Sequence, residues 1–285
     1  QWSVAGLGRT EARLVSRSGG GPAYGGTPSD ASVIALIRRL RDVYGLEVVL
    51  YPFVMMDIPA ANALPDPHSG AGAQPPYPWR GRLSCSPAPD RPGTADGGAV
   101  AAAQIASFLG SARASDFSLD GDRVVCAVPE DWGFRRAVLH AAMLARAAGG
   151  VAGFILGSEL VGLTRVRRAP GIYPMVEGLV ALAAEVRALL PAPTQLVYAA
   201  DWTEYGADVR EGGLEVRFPL DPLWASPDID AIGIDYYAQL TGWRDTPDHA
   251  DIALARGPAD VDHLRARLVS GEGYDWYYLS LADRQ

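Results

Sequence analysis

The sequence predicts an α/β fold built on a parallel sheet, and three observations carry that prediction. Short apolar runs alternate with amphipathic helical patterns along the 285 residues, the order expected when each strand is followed by a crossover helix. The run Val151 to Leu160, VAGFILGSEL, is uncharged until Glu159, as suits a strand buried on both faces of a parallel sheet. Several such runs end in a carboxylate, and the carboxyl ends of parallel strands are where α/β proteins gather functional groups. No GxGxxG turn follows a first strand and no Walker-type loop is present, so an open nucleotide-binding sheet gives way to a TIM-barrel-like (β/α)8 architecture. Only four or five strands can be counted where a closed barrel needs eight. Either short strands escape the pattern or the barrel is incomplete in this chain.

Taken in order, Gln1 to Gly26 offers one short candidate strand around Ala12 to Val15, then a Gly-rich segment holding Tyr24. Thr27-Pro28-Ser29-Asp30 supplies an N-cap, a proline for the first helical turn and an acid that complements the dipole. Val33, Ile34, Ile37, Leu40 and Tyr44 follow at helical spacing, and Gly45 ends the helix. Val48 to Met56 reads as a strand in which Pro52 removes a ladder donor, pointing to an edge or a bulge. Asp57 closes it. Residues 58–98 are Pro-rich and form one long insertion loop. Two readings of it stand: Tyr77, Trp79 and Arg80 reach over a cleft as a lid, or the loop meets another subunit.

Ala99 to Leu109 is a short Ala-rich helix, and Asp120-Gly121 is a hairpin turn before Val124 to Val128. Pro129-Glu130-Asp131 opens a helix with Phe134, Val138, Ala141, Ala145 and Ala148 on one face, ended by Gly149 and Gly150. Beyond the central strand come a basic loop with Arg165, Arg167 and Arg168 and a helix from Pro174 to Leu190. Gln195 to Ala200 is the next strand, followed by Asp201-Trp202-Thr203-Glu204-Tyr205; Ile229 to Ile234 is another, followed by Asp235-Tyr236-Tyr237. Pro258 to Leu281 is helical, with Tyr274, Trp276, Tyr277 and Tyr278 near its end.

Composition excludes several classes of function. With 48% hydrophobic and 20% charged residues and no run near ~18 apolar residues, the chain is globular and has no membrane span. A net charge of -8 leaves no basic face for direct nucleic-acid binding, and Arg38, Arg39 and Arg41 read as a solvated stripe on their helix. Cys85 and Cys126 give neither a zinc site nor a disulfide framework. His68, His140, His249 and His263 are scattered, no GxSxG is present, and no motif asks for a metal or cofactor.

What remains is a set of acids at strand ends: Asp57, Glu159, Asp201 with Glu204, and Asp235, accompanied by Trp202, Tyr205, Tyr236 and Tyr237. Glycoside chemistry needs such a set, because one carboxyl protonates the leaving oxygen, a second acts as nucleophile or base, and rings stack on sugar faces. Glu159 and Glu204 are the catalytic candidates; Asp57, Asp201, Trp202, Tyr205, Asp235 and Tyr236 are the substrate-binding ones. The plainer alternatives are helix caps, ion pairs and core tyrosines with one satisfied hydroxyl.

The segments YGGTPSDASVIALIRRLRD, YPFVMMDIPAANALPDP, YPWRGRLSCSPAPDRPG, FILGSELVGLTRVR, YAADWTEY and LDPLWASPDIDAIGIDYYAQLTGWRD resemble the glycoside-hydrolase TIM-barrel-like region of the large tail-tip (baseplate hub) protein of phage-like gene transfer agents. The resemblance runs from about Trp2 to Trp276. It implies that residues 1–285 are the central portion of one barrel, begun before Gln1 and continued past Gln285, within a multi-domain protein at the tail tip of a virion-like particle. It also implies a homotrimer around a threefold axis, other baseplate proteins as partners, and contact with a cell-envelope glycan. In the retaining hydrolases that this region resembles, the fourth strand ends in the acid/base Glu, usually after Asn, and the seventh in the nucleophile. Glu159 takes the former place, preceded by Ser158 instead of Asn, and the nucleophile has no counterpart in this chain. The expected function is a structural and interaction module that engages or penetrates the recipient envelope, with glycan hydrolysis as the alternative.

Overall fold

The computed structural model describes residues 2–190, 192–237 and 240–268. The chain divides into two units, Gln1–Asp235 and Tyr236–Gln285. The first holds a four-stranded sheet of β1 (Val49–Leu50), β2 (Gly153–Ser158), β3 (Gln195–Asp201) and β4 (Ala231–Asp235). All neighbours are parallel and their spatial order follows the chain. A doubly wound sheet would reverse direction at a switch point. Strands added one after another in a single sense instead form an arc of a barrel, and among the described residues that arc is open.

Of helices α1 (Asp30–Asp42), α2 (Ala99–Leu109), α3 (Phe134–Ala147) and α4 (Pro174–Leu189), the last two pack on the sheet, with α1 against α3 and α2 against α4 and α3. Phe154 and Leu156 of β2 and Leu196, Tyr198 and Ala200 of β3 share one buried cluster with Val138, Leu139 and Ala142 of α3 and Leu179, Leu182 and Val186 of α4. Each such apolar side chain contributes about 1.5–3 kcal/mol by leaving water, so this layer fixes the sheet on which the strand ends are mounted.

Several elements differ from their sequence-based bounds, each for a local reason. The strand expected over Val48 to Met56 is confined to Val49–Leu50, because Pro52 has no N–H to continue the ladder. Asp57 is therefore not at a strand end. Pro28 lies ahead of α1, whose N-cap is Ser29, its hydroxyl accepting the Ser32 N–H at 3.1 Å. Helix α3 starts at Phe134, not at Pro129. Asp131 turns its carboxylate onto the N–H groups of Gly133, Ser111 and Ala112 instead. No strand forms at Ala12 to Val15; Ser3–Val4 pairs with Leu7–Gly8, and Arg17–Ser18 with Gly21–Pro22. Arg38 and Arg41 are not merely solvated. Arg38 bonds the Ala147 carbonyl at 2.7 Å and Arg41 those of Ala148 and Gly150 at 3.0 and 3.1 Å, so α1 caps the negative end of the α3 dipole. The Asp120-Gly121 hairpin pairs Phe117–Asp120 with Arg123–Cys126 outside the parallel sheet.

Both cysteines are free thiols. In the second unit, Val261–Leu268 is helical; the rest of the helix expected to Leu281, with Tyr274, Trp276, Tyr277 and Tyr278, lies outside the described residues. Among the described residues, no helix is long and apolar enough to cross a membrane.

Candidate functional site

The site is built where β2 ends. Between Ile155 and Ser158 the register against β3 slips by one residue, a bulge that re-aims the side chains beyond it. Glu159 then adopts φ 52°, a left-handed backbone that costs a non-glycine residue about 1–3 kcal/mol and persists only where neighbours hold it. They do. The Glu159 N–H donates to the Ala199 carbonyl at 2.9 Å, and the Leu160 N–H donates to the Tyr198 hydroxyl at 3.2 Å.

The Glu159 side chain is 9% exposed, and one of its carboxylate oxygens is engaged by the Pro-rich loop. Its Oε2 accepts from Trp79 Nε1 at 2.8 Å and lies 2.6 Å from Arg80 Nη2. Arg80 is itself buried, its Nε on the Ser158 carbonyl at 3.0 Å and its Nη2 on Ser158 Oγ at 2.9 Å. The guanidinium lies 3.8 Å from the centre of the Phe53 ring, a cation–π contact that replaces part of its lost hydration. Ser158 Oγ in turn donates a hydrogen bond to Asp235 Oδ2 at 2.9 Å. One arginine and one hydroxyl thus join Glu159 to Asp235 at the carboxyl edge. Tyr51 closes the cluster, its phenol pushed upward by burial and, against the opposing Ser158 hydrogen bond, by the charges of Asp235 and Glu159.

The loop is seated by backbone-to-backbone approach. A Cβ placed on Gly162 would fall 2.3 Å from the Leu83 carbonyl and 2.6 Å from that of Gly81. A Cβ on Gly81 would meet the Trp79 ring at 2.4 Å. Asp66 holds the middle of the loop through Ser69 and Arg82, and Asp96 holds its end through Arg167. Of the three residues in the lid reading, Trp79 and Arg80 sit on the candidate acid, whereas the Tyr77 hydroxyl meets Ser16 and the Arg17 carbonyl.

Glu204 is elsewhere. It is 1% exposed, with Oε1 accepting from the Tyr198 hydroxyl at 2.7 Å and Thr164 Oγ1 at 2.8 Å, and Oε2 accepting from the Asp201 N–H at 3.1 Å. No cation pairs with it among the described residues. Burial outweighs these hydrogen bonds and raises its pKa to about 7. The sequence names it beside Glu159 as a catalytic candidate, but its carboxyl orients Tyr198 and, through that hydroxyl, the Leu160 backbone next to Glu159. Of the strand-end acids Glu159, Glu204 and Asp235, the hydrogen bonds join Glu159 and Asp235 through Arg80 and Ser158, while Glu204 follows the tight turn made by its N–H on the Asp201 carbonyl at 2.7 Å.

The other candidates divide similarly. Asp57 accepts from the Ser16 N–H and hydroxyl at 3.0 and 2.5 Å, which lowers its pKa and commits it to the N-terminal segment. Asp201 is buried and accepts from the Thr203 N–H at 2.9 Å, capping its own turn. Trp202 and Tyr205, 46% and 43% exposed, present ring surface beyond β3. Tyr236 belongs to the second unit and is 49% exposed. Sequence reasoning missed Ser158 as a bridge, Tyr51 and Phe53 as the bed of Arg80, and Tyr198 as the relay. Only Tyr198 left a signal, a phenol inside an apolar strand that must find a partner.

Chemically, one Glu159 oxygen accepts from an indole and is paired with a guanidinium. Glu159 works here as an anchor for the loop, and it becomes an acid/base group only if Arg80 withdraws. Among the described residues, no three His, Cys, Asp or Glu side chains converge to hold a metal ion. The family model of the GTA TIM-barrel-like domain matches residues 132–285. That stretch includes Glu159, Glu204 and Asp235 and leaves out β1 and the Trp79-Arg80 loop. No curated protein matches the chain.

Proposed function

Because this chain belongs to the GTA TIM-barrel-like domain family and so has a gene-transfer-agent-related role, we propose that it is a structural and interaction module of the particle's tail tip, which engages the recipient envelope. The observation that carries this reading is the latch: the candidate acid is spent on Arg80 and Trp79, as in a scaffold whose strand ends hold a docking loop. Other baseplate proteins, further copies of this chain around a threefold axis and an envelope glycan are the partners this role calls for. Trp202 and Tyr205 supply exposed rings for the glycan.

One observation favours a second reading. Asp235 is tied to the Glu159 cluster through Ser158, so release of the loop would leave two carboxyl groups at one edge, the minimum for glycan hydrolysis. Glu159→Gln in the full-length protein separates the two. Under the structural reading, purified envelope yields no new reducing ends with either version. Reducing ends released by the parent and abolished in Glu159→Gln would establish the hydrolase instead. Loss of glycan retention in Trp202→Ala, with hydrolysis absent, would assign the strand ends to sugar binding.

A further inference from the structure

Far from the strand ends in sequence, the N-terminal hairpins and the approach to α3 enclose a groove of about 1240 Å³. Its walls carry two indoles and three guanidinium groups: Trp2, Trp132, Arg9, Arg13 and Arg136. Trp132 is 59% exposed, and its covered face lies 3.9 Å from the Arg136 guanidinium. Trp2 is pinned by its Nε1 donating to the Thr27 carbonyl at 2.9 Å, and Arg9 stands 5.3 Å over its ring.

Arg136 is 4% exposed and is answered only by backbone carbonyls, those of Pro129, Asp131 at 3.2 Å and Ala5 at 3.5 Å. Among the described residues, neither it nor Arg9 nor Arg13 forms an ion pair. The acids that line the groove are Glu11, whose carboxylate is taken by the Gly8 N–H at 2.7 Å, and Glu130. In a chain of net charge -8, a concave surface on which Arg9 and Arg13 are exposed without an ion pair is a place for an anion.

We propose that this groove binds an acidic oligosaccharide. Its volume exceeds the roughly 300–1,000 Å³ of a small-molecule pocket, which suits an extended chain of sugar units. The exposed Trp132 indole matches the apolar face of a pyranose ring, and the exposed Arg9 and Arg13 guanidinium groups match carboxylates along the chain. A peptide fits less well, because strands of two residues, Ser3–Val4 and Leu7–Gly8, give no edge long enough for strand addition. The inference takes from the tail-tip reading only the source of the ligand, the envelope; the site itself stands on its own geometry.

The test uses this chain with three probes: a galacturonate hexamer, an uncharged cellohexaose and a hexaglutamate peptide. The galacturonate hexamer is expected to quench tryptophan fluorescence and to lose affinity as salt rises. Arg9→Gln/Arg13→Gln, both at exposed positions, should weaken it about tenfold and flatten the salt dependence. Trp132→Ala should weaken it by a similar factor, and Trp132→Phe, which keeps a ring over Arg136, should retain most of it. Equal binding of hexaglutamate would make the groove a peptide site, equal binding of cellohexaose would remove the role of charge, and no binding of any probe would remove the site; each overturns the proposal. Binding that survives the groove variants and is lost in Glu159→Gln would assign the sugar to the strand ends, which overturns this inference and leaves the tail-tip reading standing.

Discussion

Glu159 and Glu204 lie in neighbouring regions of one sheet, both withdrawn from water, and the protein solves the problem of burying them in opposite ways. Glu159 is given a cation, Arg80, from a loop nearly 80 residues away. Glu204 is given two hydroxyls and an amide and no cation, so burial raises its pKa to about 7. Burial alone therefore does not say what an acid does. The partner decides: one carboxylate holds a loop down, while the other holds the backbone that carries the first.

The sharpest way to break this contrast is Arg80→Met. It leaves Glu159 buried without its cation, and chemical denaturation should register a loss of about 3–5 kcal/mol. The double variant Arg80→Met/Glu159→Gln should recover a large part of it, and additive losses would show that the pair is not coupled.

The contrast predicts a pH signature for Glu204. Its folded pKa of about 7 lies above the ordinary 4.5, so the folded state holds the proton more tightly than the unfolded state. Stability from this group is fully present below pH 4.5 and is lost as pH rises to about 7, by roughly 3 kcal/mol in total. Urea unfolding followed across that window should show the decline, and Glu204→Gln should flatten it. A decline unchanged in that variant would move the effect to another group.

Gly162→Ala is expected to cost about 1–3 kcal/mol, since the new methyl meets the Leu83 carbonyl and the loop must lift. Limited proteolysis should then cut within residues 58–98, and the Glu204 titration should stay where it was. Trp79→Phe, the mildest change, removes one N–H donor from Glu159 and should cost about 1–2 kcal/mol. A larger loss than Arg80→Met would reverse the ranking of the two anchors.

Much of the scaffold was legible without coordinates. The spacing of Val138, Ala141 and Ala145 marked α3, the Pro174 start marked α4, and the acids after β2, β3 and β4 marked one edge of the sheet. The strand assigned to Val48 to Met56 was too long because apolar content outweighed the missing Pro52 donor. The acids were legible as a set but not as a pair plus an outlier, since Asp201, Glu204 and Asp235 carry the same sequence signal.

The sequence by itself determined the parallel α/β arrangement, the order of its strands and the acidic character of their ends, because periodicity and strand-end chemistry are local properties of the chain. Only the tertiary structure decided which acid meets Arg80, which meets Tyr198, and that Trp132 and Trp2 share a groove. Those contacts join residues 6, 79 and 130 positions apart, and whether a carboxylate is paired or merely desolvated depends on what the fold brings within about 3 Å of it.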